Sequence, residues 1–214
     1  KRKLMLRLVK GAYWDSEIKY AQVEGYSDYP VFTRKENTDL SYLHCARKLL
    51  SQTQYFYAQF ATHNAHTVAA VMAYAEQAGC DHKQDFEFQC LHGMGEALYQ
   101  QVVLEQGYAC RIYAPVGEHK SLLAYLVRRL LENGANTSFV NLLADQAQDV
   151  ASIIANPVDK VRHNTTHRHA SIMLPGDLYG EVRKNSSGAN LADANWLDAY
   201  QAYLSEAADR QWQA

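Results

Sequence analysis

One stretch of the sequence, Tyr125 to Glu132, places several anion-binding side chains on one side of a predicted helix. At about 100° per residue, Tyr125, Arg128, Arg129 and Glu132 fall within one arc of roughly 100°. Two adjacent guanidinium groups suit a small carboxylate, because each offers a planar fork of donors to two oxygens. Glu132, one turn away, is placed to hold the arginines in register. The pattern indicates a carboxylate site; a solvated helix face with ion pairs is the alternative.

The opposite side of this helix is apolar and is expected to pack it against the protein. Its members are Leu123, Leu126, Val127, Leu130 and Leu131.

Further candidate residues lie near the ends of two predicted strands. Arg7 and Lys10 are three apart, so they are expected to point to opposite faces of the first strand. We expect Arg7 to face the mouth of the fold. Lys10-Gly11-Ala12 would offer a positive charge and backbone amides to a phosphate or an electron-rich ring edge. Tyr113, at the end of a later strand, is predicted on the same side as the arginine helix. For Arg7, a salt bridge inside the fold is the alternative.

Strands and helices alternate along the chain. Apolar or aromatic runs that end in polar residues predict strands, and periodic segments after them predict helices. The predicted strands are Leu4–Val9, Tyr55–Ala61, Phe86–Leu91 and Arg111–Tyr113. Of the predicted helices, the first starts at Ser16, the second covers Leu40–Leu50 with Thr38-Asp39 as its cap, the third ends at Gln77, the fourth runs through Leu104, and the fifth covers Lys120–Glu132. Successive βα units predict a parallel sheet, whose strands are expected to be apolar on both faces.

Polar residues follow each predicted strand, at Lys10, Thr62-His63, His92 and Tyr113, as on the catalytic face of a (βα)8 barrel. The chain has no G-x-G-x-x-G motif, which makes a doubly wound sheet the weaker alternative. We therefore predict an α/β fold, the C-terminal half of a (βα)8 barrel with four βα units, followed by a helical and linker extension. Two sheet edges would be unpaired, so we expect further strands upstream.

The chain is predicted to divide into three segments. Residues 1–145 form the barrel half, and residues 146–190 form a short helix (Gln146–Ala155) and a linker that includes Asn185-Ser186-Ser187-Gly188. Residues 191–214 return to helical periodicity and are expected to begin a following domain.

Composition excludes several classes of function. With 21 basic and 23 acidic residues among 214, the chain gives no electrostatic case for binding nucleic acid. Its apolar runs stay shorter than the ~20 residues of a membrane span, and no signal peptide is recognised. Four widely spaced cysteines predict reduced thiols in a cytoplasmic protein. His163, His167 and His169 are interpreted as part of a solvated linker, so no metal site is predicted.

Four segments closely resemble proline dehydrogenase, in order and at the ends of successive βα units. They are Leu8–Asp15 (LVKGAYWD), Phe60–Asn64 (FATHN), Phe88–Gly95 (FQCLHGMG) and Tyr125–Phe139. The resemblance covers roughly residues 1–141. It implies a distorted (βα)8 barrel with FAD at its mouth. Such a barrel oxidises L-proline to Δ1-pyrroline-5-carboxylate by hydride transfer to the flavin N5, and the electrons pass to a quinone.

The resemblance also implies roles for single residues. The implied substrate site consists of Tyr113, Tyr125, Arg128, Arg129 and Glu132. In it the arginines bind the proline carboxylate, Glu132 orients them, and the tyrosines pack against the substrate ring. Arg7 would act near the flavin N5, where charge develops during reduction. The other implied FAD contacts are Lys10, Gly11, Ala12, Tyr13, Trp14, Thr62, His63, Gln89, Leu91, His92, Ser138 and Phe139.

Two tail segments, Asp177–Gly180 and Arg183–Gly188, resemble the passage into the second domain of bifunctional proline utilisation A enzymes. This implies a longer parent protein with an upstream half-barrel and a downstream NAD-dependent glutamate-semialdehyde dehydrogenase domain. A cytoplasmic location with peripheral contact to the inner membrane face is implied as well.

The family also uses a lysine, an aspartate and a glutamine on earlier strands, and nothing in this chain matches those segments. By itself the chain is therefore predicted to bind FAD weakly and not to turn over. Two alternatives are a (βα)8 enzyme that handles a carboxylate or phosphate without flavin, and an inactive fragment that associates through its sheet edges.

Overall fold

A parallel four-stranded sheet forms the centre of the fold in a computed structural model, which describes residues 2–11, 13–134, 155–208 and 210, without the side chains of 130–134. The strands are β1 (Leu4–Leu8), β2 (Phe56–Ala61), β3 (Phe86–Leu91) and β4 (Cys110–Tyr113). Their order in the sheet is β1-β2-β3-β4, and all neighbours are parallel. The predicted α/β fold with a parallel sheet is confirmed, and its strand order is that of successive strands in a (βα)8 barrel.

Helices follow the strands closely in sequence. They are α1 (Trp14–Glu24), α2 (Lys35–Leu50), α3 (Ala65–Gln77), α4 (Glu96–Gln100, extended by a π-helical turn, Gln101–Glu105), α5 (His119–Gly134), α6 (Pro157–His163) and α7 (Ala194–Ala208). Asn64 caps α3, since its side chain accepts a hydrogen bond from the Thr67 backbone N–H at 2.9 Å. The predicted cap of α2 was wrong: the helix begins one turn earlier, at Lys35, and Asp39 lies within it.

One face of the sheet carries the hydrophobic core. Phe60, Phe86 and Phe88 are fully buried, and the rings of Phe60 and Phe86 meet edge to face with centroids 5.7 Å apart. α2 and α3 cover this face with small or branched side chains such as Ala46 and Val71. Large rings on the strands and small residues on the helices bring the helices close to the sheet.

The other face of the sheet is polar, which corrects the expectation of strands that are apolar on both faces. In-register pairing places Arg7 beside Gln59 and Gln59 beside Glu87 on this face, with Gln89 beside Arg111. The physical reason is the alternation of side chains along a strand: Ala58 and Phe86 enter the core, and the polar residues that follow them, Gln59 and Glu87, point the opposite way.

The described chain forms two compact units. The first comprises residues 1–12 and 34–167 and holds the sheet, and the second comprises residues 13–33 and 168–214. These units do not coincide with the predicted segments, since α1 belongs with the C-terminal part of the chain. Most of the predicted short helix, residues 146–154, lies outside the described residues. The assignment of segments to domains of a longer protein stays a prediction.

In the second unit, the stretch interpreted as a linker is held against the end of α1. The Gly188 N–H donates to the Gly25 carbonyl at 2.9 Å, and the Asn185 side-chain amide donates to the Gln22 carbonyl at 2.9 Å. Gly25 has φ of 64°, and a Cβ built there would lie 1.8 Å from the Ser186 carbonyl oxygen. Backbone therefore packs directly on backbone, which only glycine permits.

All four cysteines are free thiols, as predicted. Cys90 and Cys110 lie on neighbouring strands with their sulfurs 3.8 Å apart. Across the described ranges, no helix combines the length and apolarity that a bilayer crossing requires. Nor do the described histidine, cysteine, aspartate and glutamate side chains form a group of three suited to a metal ion.

Candidate functional site

The polar face of the sheet brings three of the predicted site residues together. Arg7 Nε donates a hydrogen bond to Gln89 Oε1 at 2.8 Å, across β2 from β1 to β3. The Arg7 guanidinium carbon lies 4.7 Å from the centroid of the Tyr113 ring, at the end of β4. This is a cation–π contact that fixes the plane of the guanidinium group. Arg7 faces the polar side, as the spacing of Arg7 and Lys10 predicted.

A buried carboxylate, Glu87, organises this face, and sequence reasoning did not identify it. Its side chain accepts from Arg111 at 2.8 and 3.0 Å, from Gln89 at 2.8 Å and from Gln59 at 3.0 Å. Burial opposes ionisation, but these hydrogen bonds together hold the pKa of Glu87 below its usual range. The alternation Phe86-Glu87-Phe88-Gln89 was the signal, since polar residues at every second position indicate a polar inner face.

Among the described residues of this polar face there are two arginines, Arg7 and Arg111, and one carboxylate, Glu87, so one arginine has no carboxylate partner on the face. Arg111 and Glu87 form a bidentate ion pair, whereas Arg7 bonds to the neutral Gln89 amide. Only Nε of Arg7 takes part in that bond, and the guanidinium group lies over the Tyr113 ring at the end of β4. An electron-rich or anionic group bound over this face would meet Arg7.

The ends of β2 and β3 are tied together by His63 and Tyr99. The Leu91 backbone N–H donates to His63 Nε2 at 3.1 Å, and the Tyr99 hydroxyl donates to the Thr62 carbonyl. His63 therefore carries its proton on Nδ1. Burial, and then the nearby Arg129 charge, lower the pKa of His63. Thr62, His63 and Leu91, all predicted flavin contacts, thus first serve to fix the strand ends.

Helix α5 presents its polar side to the protein, the reverse of the predicted packing. Leu123, Leu126 and Val127 on the apolar side are 53%, 44% and 45% exposed. On the other side, the Tyr125 hydroxyl and Arg129 Nε are buried atoms, and the Arg129 guanidinium carbon lies 5.3 Å from the Tyr125 ring centroid. The apolar side was expected to pack because burial of apolar groups normally decides helix orientation.

The Arg129 charge contributes to the lowered pKa of His63, which puts the Arg129 side chain in the neighbourhood of the end of β2. Arg128 is half-buried on the same helix. Arg129 thus lies toward the carboxyl ends of the strands, where a (βα)8 barrel holds its active site, and carboxylate binding by this helix stays a prediction.

Lys10 points to the helix side of the sheet, away from Arg7. Its ammonium group bonds to Asp39 at 2.6 Å and to Thr67 at 3.1 Å, and it lies 5.6 Å from the centroid of the Tyr42 ring. Burial lowers the pKa of Lys10, and Asp39 offsets part of that effect. The charge expected to bind a phosphate is therefore already paired with a carboxylate, so the position of this ammonium group does not favour phosphate binding.

The remaining predicted residues fall into three groups. Gly11 has φ of 98°, with open space around it, and His92 is exposed. Tyr13 and Trp14 belong to the second unit, where the Trp14 indole N–H donates to the Phe32 carbonyl at 2.8 Å. Outside the described residues and side chains lie Ala12, Glu132, Ser138 and Phe139.

Comparison with known proteins places these observations in a family. The family model described as proline dehydrogenase matches residues 1–142. The bifunctional protein PutA of Klebsiella aerogenes is 54% identical over 100% of this chain, which covers 17% of that protein. Proline dehydrogenase 2 of Bacillus subtilis is 35% identical over 63% of this chain and 39% of its own length. A crystal structure of proline utilization A from Bradyrhizobium japonicum superposes with a TM-score of 0.84, at 51% identity, over 96% of this chain and 21% of that one.

A parallel sheet with helices on one face and charged side chains on the other has the arrangement of consecutive strands in an α/β barrel. The chain belongs to the proline dehydrogenase family. It spans 17% of the length of the Klebsiella aerogenes relative that it matches throughout.

Proposed function

We propose that this chain is part of a longer, bifunctional enzyme that oxidises L-proline to Δ1-pyrroline-5-carboxylate with FAD. The observation that carries the proposal is Arg7, which has no ion pair among the described residues and is held over Tyr113 on the polar sheet face. Identity of 54% to a bifunctional PutA across the whole chain supports it. The proposal includes a quinone as electron acceptor and a downstream NAD-dependent dehydrogenase domain in the parent. It also includes a cytoplasmic location with peripheral contact to the inner membrane face.

The side chains on the polar face fit the chemistry of a flavin. When bound, the cofactor would accept a hydride, which is two electrons and one proton, from the substrate. Arg7 would lie at its electron-rich edge and favour the negative charge that develops on reduction. His63, which carries its proton on Nδ1, and Gln89 would line the same surface. Gly11, in a conformation that excludes a side chain, would let a cofactor approach the backbone after β1.

The arginine side of α5 would bind the substrate. Arg128 and Arg129 would hold the proline carboxylate bidentately, and Tyr125, already in contact with Arg129, would pack against the ring. A carboxylate fixed at two points presents one face of the proline ring to the cofactor, so positioning supplies much of the rate. Glu132, Ser138 and Phe139 complete the proposed site from the sequence resemblance alone.

The test uses the full-length protein that contains this chain. We expect a yellow protein whose flavin absorbance is bleached by L-proline in the absence of oxygen. In the Arg128→Met/Arg129→Met variant, the flavin absorbance should persist and L-proline should no longer bleach it at the same concentration. A colourless full-length protein, or a bound flavin that L-proline leaves oxidised, would refute the proposal.

A further inference from the structure

The Gln89 side-chain amide bonds to two charged groups, and each of them can form a hydrogen bond with only one end of the amide. Its Nε2 donates to Glu87 Oε1 at 2.8 Å, and its Oε1 accepts from Arg7 Nε at 2.8 Å. A carboxylate can only accept and a guanidinium can only donate, so the reversed amide would lose both hydrogen bonds. The orientation of Gln89 is therefore dictated by the charges on either side of it.

Glu87 is itself fixed by the sheet. It is 5% exposed, it receives two hydrogen bonds from Arg111, and Gln59 donates to the same Oε1 that Gln89 uses. Its neighbours on β3 alternate into the core, where Phe86 and Phe88 are fully buried. The carboxylate thus lies in a closely packed and fully hydrogen-bonded part of the sheet, several residues before the strand end where the predicted chemistry occurs.

We propose that Glu87 and Gln89 are positioning residues for Arg7. The Glu87 carboxylate orients the Gln89 amide, the amide oxygen holds Arg7 Nε, and the guanidinium group is thereby kept over Tyr113. Glu87 acts without touching substrate or cofactor. The inference rests on the proposed function only for its effect on proline oxidation, because the position of Arg7 is a property of the protein itself.

The structural test compares crystal structures of the full-length protein and its Gln89→Met variant. Methionine preserves the length of the side chain but offers no oxygen to Arg7. We expect the Arg7 guanidinium to leave the Tyr113 ring or to lose defined density, while Glu87 and Arg111 stay paired. An unmoved Arg7 would overturn the proposal, whatever the protein catalyses.

The functional test measures proline oxidation and the flavin midpoint potential in the same protein. For Gln89→Met we expect a kcat, normalised to bound flavin, lowered about tenfold, which is about 1.4 kcal/mol, and a more negative potential. In an Arg7→Ala background, Gln89→Met should have no further effect, because Gln89 then has no guanidinium group to position. If the effects of Gln89→Met and Arg7→Ala on kcat multiply, the proposed positioning of Arg7 by Gln89 is overturned. A wild-type flavin that proline does not reduce would instead refute the proposed function.

A third variant distinguishes the positioning of Arg7 by Glu87 and Gln89 from the contribution of Glu87 to the stability of the sheet. Glu87→Gln removes the charge, so the Gln89 amide can reverse and turn its N–H groups toward Arg7. Its loss of kcat should disappear when Gln89 is already methionine, whereas its loss of stability should persist in both backgrounds. Tyr57→Phe is the matched control: its hydroxyl bonds to the same carboxylate at 3.4 Å, on Oε2, and its removal should leave kcat and potential as in the wild type.

Discussion

His63 is a residue whose protonation would change the local structure. Its Nε2 accepts the Leu91 N–H, and a protonated ring has no acceptor to offer. Burial, and then the Arg129 charge, lower the pKa of His63 from its ordinary value of about 6.5. The unfolded chain therefore takes up the proton first. The neutral ring contributes its full stability above about pH 6.5, and this is lost as the pH falls toward the lower pKa of the folded state.

We therefore expect the thermal midpoint of the full-length protein to decrease as the pH is lowered from about 7.5 to about 5.5. His63→Gln, which does not titrate in this range, should show a shallower fall. His66, whose pKa is also lowered, first by burial, contributes to the remaining slope. His119→Gln, at an exposed position, serves as the control and should keep the wild-type pH dependence. Parallel curves for His63→Gln and wild type would contradict the role of His63.

Arg129 is expected to contribute substrate affinity. Arg129→Met should weaken L-proline binding by about 2–4 kcal/mol, because a carboxylate enclosed at the strand ends loses a charged partner. Flavin content should not change. Titration of the flavin spectrum with a competitive carboxylate ligand measures the affinity directly. Arg162→Met, on the exposed side of α6, is the control. Unchanged affinity in Arg129→Met would remove this arginine from the substrate site.

At the scale of single elements, the sequence identified strands and helices better than it identified their faces. β3 was placed at Phe86–Leu91, as observed, because its ends are marked by polar residues. The polar inner face was missed because the strands of a sheet covered by helices were expected to be apolar on both faces, although Glu87 and Gln89 alternate with Phe86 and Phe88. The pairing of Glu87 with Arg111 depends on strand register, which local sequence does not contain.

The orientation of α5 was beyond sequence reasoning for another reason. Its period of apolar residues is clear, and periodicity alone assigns the apolar side to the interior. The observed helix instead turns Tyr125 and Arg129 inward, with Leu126 and Val127 exposed. Which side of an amphipathic helix is covered depends on everything packed around it, and one helix cannot report that.

The contact between α1 and the C-terminal stretch should be sensitive to one methyl group. Gly25→Ala is expected to cost at least about 2 kcal/mol, because it combines a left-handed backbone with a Cβ that meets the Ser186 carbonyl. Faster hydrogen exchange at the Gly188 N–H would report the loss. Gly79→Ala is the matched control, since its φ is 66° and its surroundings are open. Equal effects of the two changes would mean that backbone conformation alone matters.

At the scale of the whole molecule, the chain leaves the first unit after β1 and returns to it at Arg34. The second unit is thus built from two pieces far apart in sequence. No periodic pattern joins these pieces, because their contact relies on backbone groups at Gly25 and Gly188. A stretch rich in serine, asparagine and glycine reads as a linker for this reason.

The thiol of Cys110 offers a measure of unfolding of the first unit. Burial, and then the neighbouring Cys90, raise the pKa of Cys110 to about 12. At about pH 8 this lowers the reactive thiolate by about a thousandfold relative to an ordinary thiol. Iodoacetamide should therefore label native Cys110 at least about a hundredfold more slowly than the urea-unfolded chain. Comparable rates in the two states would contradict the half-buried position of this sulfur beside Cys90. Cys45, which is less buried than Cys90, is the internal reference within the same samples.

The pairing of the buried Glu87 carboxylate with the more exposed Arg111 also constrains how the family can evolve. Loss of Arg111 leaves the buried Glu87 carboxylate without its charged partner, whereas exchange of both for neutral residues of similar volume is tolerated far better. Among relatives, positions 87 and 111 should consequently change together or not at all. A lineage that replaced the pair would also have lost the group that orients Gln89, and a compensating change near Arg7 would be expected in the same lineage.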